Sequence, residues 1–275
     1  MSACDPLSNS PQAVHRHQVV VRIQPAFDQT DDEAPELAAV PARRPPRDCP
    51  MIRRIRSVWA HRVRAASEVF FQRPTRALWA GVALLALVVL IGLVIPTGPL
   101  TIDQRWSEWM QDIQSSTLHH LALIFNYLGR GLGRALSLVA IGLILLLTRR
   151  WQALLAFAAT ETLTPLASNL LKHIVDRPRP AKAMLHASGT SFPSGHAAYA
   201  GATTIALVLL FTHPGKHRLL WWSIAALTTA IMVWSRTYLQ VHWLSDALTG
   251  ALLGIGITLA TFATAQLIPR TNPTR

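Results

Sequence analysis

The sequence predicts an all-α protein: a polytopic membrane bundle of six transmembrane helices, with a catalytic core built from four to six of them. Three observations lead there. Apolar residues gather in six nearly charge-free runs, at about 78–96, 133–149, 151–171, 196–212, 219–235 and 247–269, each close to the ~20 residues that cross a bilayer. Hydrophobic residues make up 51% of the 275-residue chain and charged ones 15%, well short of the roughly one-quarter charged content of a soluble domain. A soluble enzyme with a single core is thereby disfavoured. The charge is also unevenly placed: the net charge is +12, and 10 of the 26 Lys and Arg lie between Arg43 and Arg76, just ahead of the first run. Basic residues in that position mark the cytoplasmic flank of a span, so no nucleic-acid partner is inferred from them.

Taken in order, residues 1–50 are rich in Pro, Gln, Asp and Arg and carry the acidic cluster Asp31, Asp32, Glu33 and Glu36. Such a segment buries little and reads as a disordered cytoplasmic stretch. In residues 51–77, Ile52, Ile55, Val58, Trp59 and Val63 recur at helical spacing among arginines. This predicts a basic amphipathic helix on an anionic membrane surface, with a solvated basic tail as the alternative. No early apolar stretch resembles a signal peptide, so the first span is expected to act as its own uncleaved insertion signal. Cys4 and Cys49 are the only cysteines and stand at no metal-ligand spacing, which excludes a disulfide framework and a zinc site.

The six-span domain is expected over 78–269, followed by a short cytoplasmic tail, 270–275. Its second span is the weakest element, because only 14 uncharged residues separate Arg134 from Arg149. It crosses only if both arginines snorkel to opposite interfaces. Residues 103–128, with Trp106, Trp109, His119 and His120, read as interfacial or re-entrant. Threading six spans puts 18 Lys and Arg on one side and 8 on the other. The richer side is cytoplasmic, with both termini there. Tryptophans at the span ends, such as Trp79, Trp151 and Trp243, form the matching interfacial belt. Gly250, Gly254 and Gly256 read as close helix packing.

Three polar segments fall on the opposite, extracytoplasmic face. Lys172 is followed by Arg179-Pro180, then by Pro193-Ser194-Gly195-His196, and finally by Ser235-Arg236 with His242 and Asp246 beyond. Lys172, Arg179 and Arg236 are three fixed cations suited to phosphoryl oxygens. Ser194 and Gly195 precede the fourth span, so their backbone N–H groups can point at an anion from a helix start. His242 and Asp246 are four residues apart, a spacing at which the carboxylate can accept from one imidazole nitrogen and leave the other as nucleophile. His196 remains as proton donor to a leaving oxygen. Arg177 and Lys182 read as charges facing lipid headgroups, not as phosphate ligands.

These segments resemble the signature of the type-2 phosphatidic acid phosphatases, or lipid phosphate phosphatases, which share their active site with vanadium haloperoxidases. The match covers residues 172–246, and the six-span layout extends it to about 78–269. The resemblance implies a phosphatase that needs no metal or other cofactor. In it His242 attacks phosphorus to give a phosphohistidine, Asp246 orients it and His196 protonates the leaving alcohol. Lys172, Arg179, Ser194, Gly195 and Arg236 would bind the phosphate. The substrate would be a phosphate monoester or pyrophosphate of a lipid in the surrounding bilayer. A lipid phosphotransferase would use the same site. A non-enzymatic transporter would explain the spans but not the three segments, and a haloperoxidase would be far less apolar.

Overall fold

The computed structural model describes residues 69–129 and 131–268. The 1–50 segment, residues 51–68 of the basic segment and the 270–275 tail lie outside the described residues. Those described fold into eight helices and no strand: α1 (Pro74–Val94), α2 (Thr101–Asp112), α3 (Ser116–Leu128), α4 (Gly131–Leu147), α5 (Trp151–Val175), α6 (Gly195–Phe211), α7 (Arg218–Tyr238) and α8 (Leu244–Leu267).

Each of the six apolar runs is a helix, and the segment between the first two forms α2 and α3. By length and apolarity, three of these helices can cross a membrane: α1, α7 and α8. A fourth crossing arises if α3 and α4, bent by 51° at their junction, are one broken span. Three or four crossings thus meet both criteria, against the six expected. At 17 residues each, α4 and α6 stand at the short end of what spans a bilayer, and α5 carries Glu161, Lys172 and an internal Pro165.

Helix α8 is the hub, packing against α1, α5, α6 and α7. Small residues allow this. A Cβ on Gly250 would collide with the carbonyl oxygen of Ser194, and one on Gly254 with that of Ala198, so α6 and α8 touch backbone to backbone. Gly256 meets Gly81 of α1 in the same way, as the reading of these glycines as packing positions anticipated. At the end away from the polar segments, Phe70, Phe157, Leu209 and Phe262 form the apolar core. Gln266 Oε1 accepts from the N–H groups of Phe70 and Phe71, and Arg218 donates to Phe70 O, which anchors the entry to α1. Outward faces stay apolar: Trp79, Leu93, Leu147 and Leu155 are all largely exposed, as lipid contact requires.

Candidate active site

Helix α5 ends in Lys172 and His173 and is closed by Asp176, whose left-handed backbone (φ 44°, ψ 43°) turns the chain toward Arg177 and Arg179. That loop runs back past Ser191 to Ser194, the residue capping α6. His242 stands in the short connection between α7 and α8. Chain segments far apart in sequence thus converge at one end of the hub helix.

They enclose a cavity of about 260 Å³ lined by Asn126, Arg179, His196, Arg236 and His242. Within it His242 is 5% exposed. Its Nδ1 lies 2.8 Å from the carbonyl oxygen of Ser191. A carbonyl can only accept, so Nδ1 carries the proton and the Nε2 lone pair is left for the cavity. Nε2 lies 3.2 Å from Nη1 of Arg179, which also donates to Val241 O at 2.7 Å. Burial, followed by the positive charges of Arg179, Lys172, Arg236 and His196, holds the His242 pKa well below the ordinary histidine value. The imidazole is neutral at pH 7. Arg236, 2% exposed, donates to Asn126 Oδ1 at 2.9 Å, so α3 helps to aim it.

The expected contact between Asp246 and the imidazole is replaced by a relay. Helix α8 begins only at Leu244, so His242 is outside it and the four-residue helical spacing does not apply. Asp246 sits in the first turn, where Oδ2 accepts the N–H of Trp243 at 3.2 Å and the hydroxyl of Ser191 at 2.5 Å. Ser191 therefore links carboxylate to imidazole, through its hydroxyl on one side and its carbonyl on the other. Ser194 also departs from expectation. Its N–H donates to Asp246 O at 3.0 Å, away from any anion in the cavity. Lys172 donates to Thr190 O at 2.9 Å and, with Gly195 and His196, lines an adjoining cavity.

Arg177 corrects the sequence reading most sharply. It is fully buried, where a headgroup-facing charge was expected. Its Nη1 pairs with Asp246 Oδ1 at 2.5 Å and its Nη2 with Asp103 Oδ2 at 2.8 Å, and it also donates to Ser245 Oγ and Gly98 O. Burial by itself would raise the Asp103 pKa. Hydrogen bonds from the Ser245 and Leu100 N–H groups, Arg177 and the Ser245 hydroxyl outweigh that and lower it, so the carboxylate is ionised. Asp103, Arg177, Asp246, Ser191 and His242 thus form one connected chain. Lys182, by contrast, is exposed and donates to Gln111 Oε1. Sequence reasoning passed over Asp103, although an acid three residues beyond Leu100 in a helix's first turn is a recognisable start signal. It also passed over Ser191, which acts through its hydroxyl on Asp246 and its backbone carbonyl on His242.

An all-helical bundle of apolar helices whose polar end buries a histidine beside two arginines defines an integral membrane protein with a cavity lined by cations. Residues 149–269 match the PAP2 superfamily model, the family whose signature the three polar segments resemble. Phosphatidylglycerophosphatase B of Bacillus subtilis (strain 168) is 35% identical over 112 residues, 39% of this chain and 55% of that protein, so the match spans about half the relative's length. The crystal structure of the transmembrane PAP2-type phosphatidylglycerolphosphate phosphatase from Bacillus subtilis superposes with a TM-score of 0.59 at 25% identity. That superposition covers 70% of this chain and 100% of the other. Aquifex aeolicus LpxE gives 0.50 at 23% identity over 59% and 95% of the two chains, a likeness of fold alone.

Proposed function

We propose that the protein is an integral membrane lipid phosphatase that hydrolyses a phosphate monoester or pyrophosphate of a lipid through a phosphohistidine, without metal. The observation that carries this reading is the neutral imidazole of His242, with Nδ1 committed to Ser191 O and Nε2 directed at a cavity walled by Arg179 and Arg236. Nε2 attacks phosphorus as the bond from phosphorus to the lipid oxygen breaks, and His196 gives that oxygen its proton. Arg179, Arg236 and Lys172 balance the charge spread over the phosphoryl oxygens, aided by the Ser194 hydroxyl and the N–H of Gly195 at the start of α6. Water then attacks phosphorus, the nitrogen–phosphorus bond breaks, and inorganic phosphate leaves. Asp246 acts on His242 through Ser191, as a positioning residue. The excess of Lys and Arg on one side supports a site on the extracytoplasmic face of the plasma membrane with both termini cytoplasmic.

The test is phosphate release by the purified protein from phosphatidylglycerophosphate, phosphatidic acid and a polyprenyl pyrophosphate, with and without EDTA. Release that survives EDTA, is blocked by vanadate and is abolished by His242→Ala with the fold retained is expected. Full activity of His242→Ala overturns the mechanism, and a strict metal requirement points to another class of enzyme.

A further inference from the structure

Helix α3 lies ahead of all three polar segments in the chain, yet one of its faces lies against the phosphate cavity. Ala122, Asn126 and the capping Gly129 stand at i, i+4 and i+7, a single helical stripe. Each meets a different part of the site. The carbonyl oxygen of Ala122 accepts the hydroxyl of Ser235 at 2.9 Å, and that hydroxyl in turn accepts from Arg236 Nη2 at 3.1 Å. Asn126 Oδ1 accepts from Arg236 Nη1 at 2.9 Å. Gly129 packs on the proton donor, for a Cβ there would come to 2.8 Å from Cδ2 of His196 and 3.0 Å from Cε of Met232. The stripe thus aims Arg236 and leaves room for the His196 ring.

A guanidinium can only donate, so the amide oxygen of Asn126 faces Arg236 and its Nδ2 faces elsewhere. Nδ2 makes no hydrogen bond among the described residues, and the half-buried side chain lines the cavity together with His196, Arg236 and His242. Other donors there are largely committed. Arg179 gives an N–H to each of the carbonyl oxygens of Ser188, Gly189 and Val241, and a further one faces His242 Nε2. Lys172 is bonded to Thr190 O and lines the adjoining cavity. A phosphoryl group in transfer spreads negative charge over its equatorial oxygens, and each of them needs donors once water is displaced. The N–H groups of Nδ2, already oriented by the bond to Arg236, meet that need without reorganising at the moment of reaction.

We propose that Asn126 is a further catalytic residue of this site, whose Nδ2 donates to a phosphoryl oxygen of the substrate and keeps that hydrogen bond through the transition state. The proposal rests on the phosphatase reading above and adds α3 to the segments that hold the phosphate. Asn126→Ala should lower kcat on phosphatidic acid about a hundredfold and change KM far less, as for the loss of one preorganised donor from a developing oxyanion. Because alanine also releases Arg236, the same substitution is made in an Arg236→Ala background. There it should still cost about tenfold in kcat/KM, the worth of a hydrogen bond to a charged group. No further cost in that background means that Asn126 serves only to aim Arg236, and overturns the proposal. Where a variant does not fold or is too slow to assay, a structure of the unaltered protein with bound vanadate decides. Nδ2 within about 3 Å of a vanadate oxygen is expected. An amide turned away from every vanadate oxygen overturns the proposal while leaving the phosphatase intact. No phosphate release and no vanadate binding by the unaltered protein overturns the phosphatase reading itself.

Discussion

Arg177 and Lys182 are five positions apart in one loop, and their surroundings give them opposite worth. Removing Arg177 would leave Asp103 and Asp246 both buried without the guanidinium that bridges them. Breaking a buried pair from one side costs about 3–5 kcal/mol. Arg177→Ala should therefore lower the detergent-solubilised melting temperature severely or prevent folding. Lys182→Ala, which loses one exposed contact to Gln111, should change stability by no more than about 0.5 kcal/mol. Thermal unfolding of both variants checks this, and equal melting temperatures would sink the assignment of Arg177 to a buried bridge. Burial, with the positive charges around it, makes His242 sensitive to acid. With its pKa below the ordinary value, the folded protein binds fewer protons than the unfolded chain near pH 6. That contribution to stability is present above about pH 6.5 and is lost as pH falls toward the depressed pKa.

The packing of α6 on α8 ties helix contact to catalysis. Ser194 sits between them, with its N–H on Asp246 O and its carbonyl oxygen against Gly250. A methyl group at Gly250 cannot enter without pushing the start of α6 away, and overpacking of this kind costs about 1–3 kcal/mol. Gly250→Ala should thus depress phosphate release as well as stability, because it moves Ser194, Gly195 and His196 together. Gly142 of α4 has open space around its Cα, so Gly142→Ala should be neutral or slightly stabilising through helix propensity, worth about 1 kcal/mol. Activity and melting measurements on the pair separate close approach from simple loss of a glycine. Equal behaviour of the two variants would remove the argument.

For the whole molecule, the open measurement is which face carries the site. A single cysteine at exposed Ala183, in a background lacking Cys4 and Cys49, should react in intact cells with a membrane-impermeant thiol reagent. Cys4 and Cys49 in the unaltered protein should not. The reverse pattern would put the cavity in the cytoplasm. What the sequence by itself determined were the helices, because apolarity over twenty residues is a local property, and the ionisable residues of the three polar segments, because their types limit the chemistry available. The number of crossings was not fixed by helix length, since α4 and α6, at 17 residues each, stand at the short end of what spans a bilayer. Only the tertiary structure decided how the site is wired. Arg177 meets Asp103 across 74 residues and Asp246 across 69, and His242 meets Ser191 across 51. No local pattern encodes a partner at that separation. The residue that sets the imidazole tautomer does so with its backbone carbonyl, a group every amino acid has, so side-chain identity alone could not have marked Ser191 out.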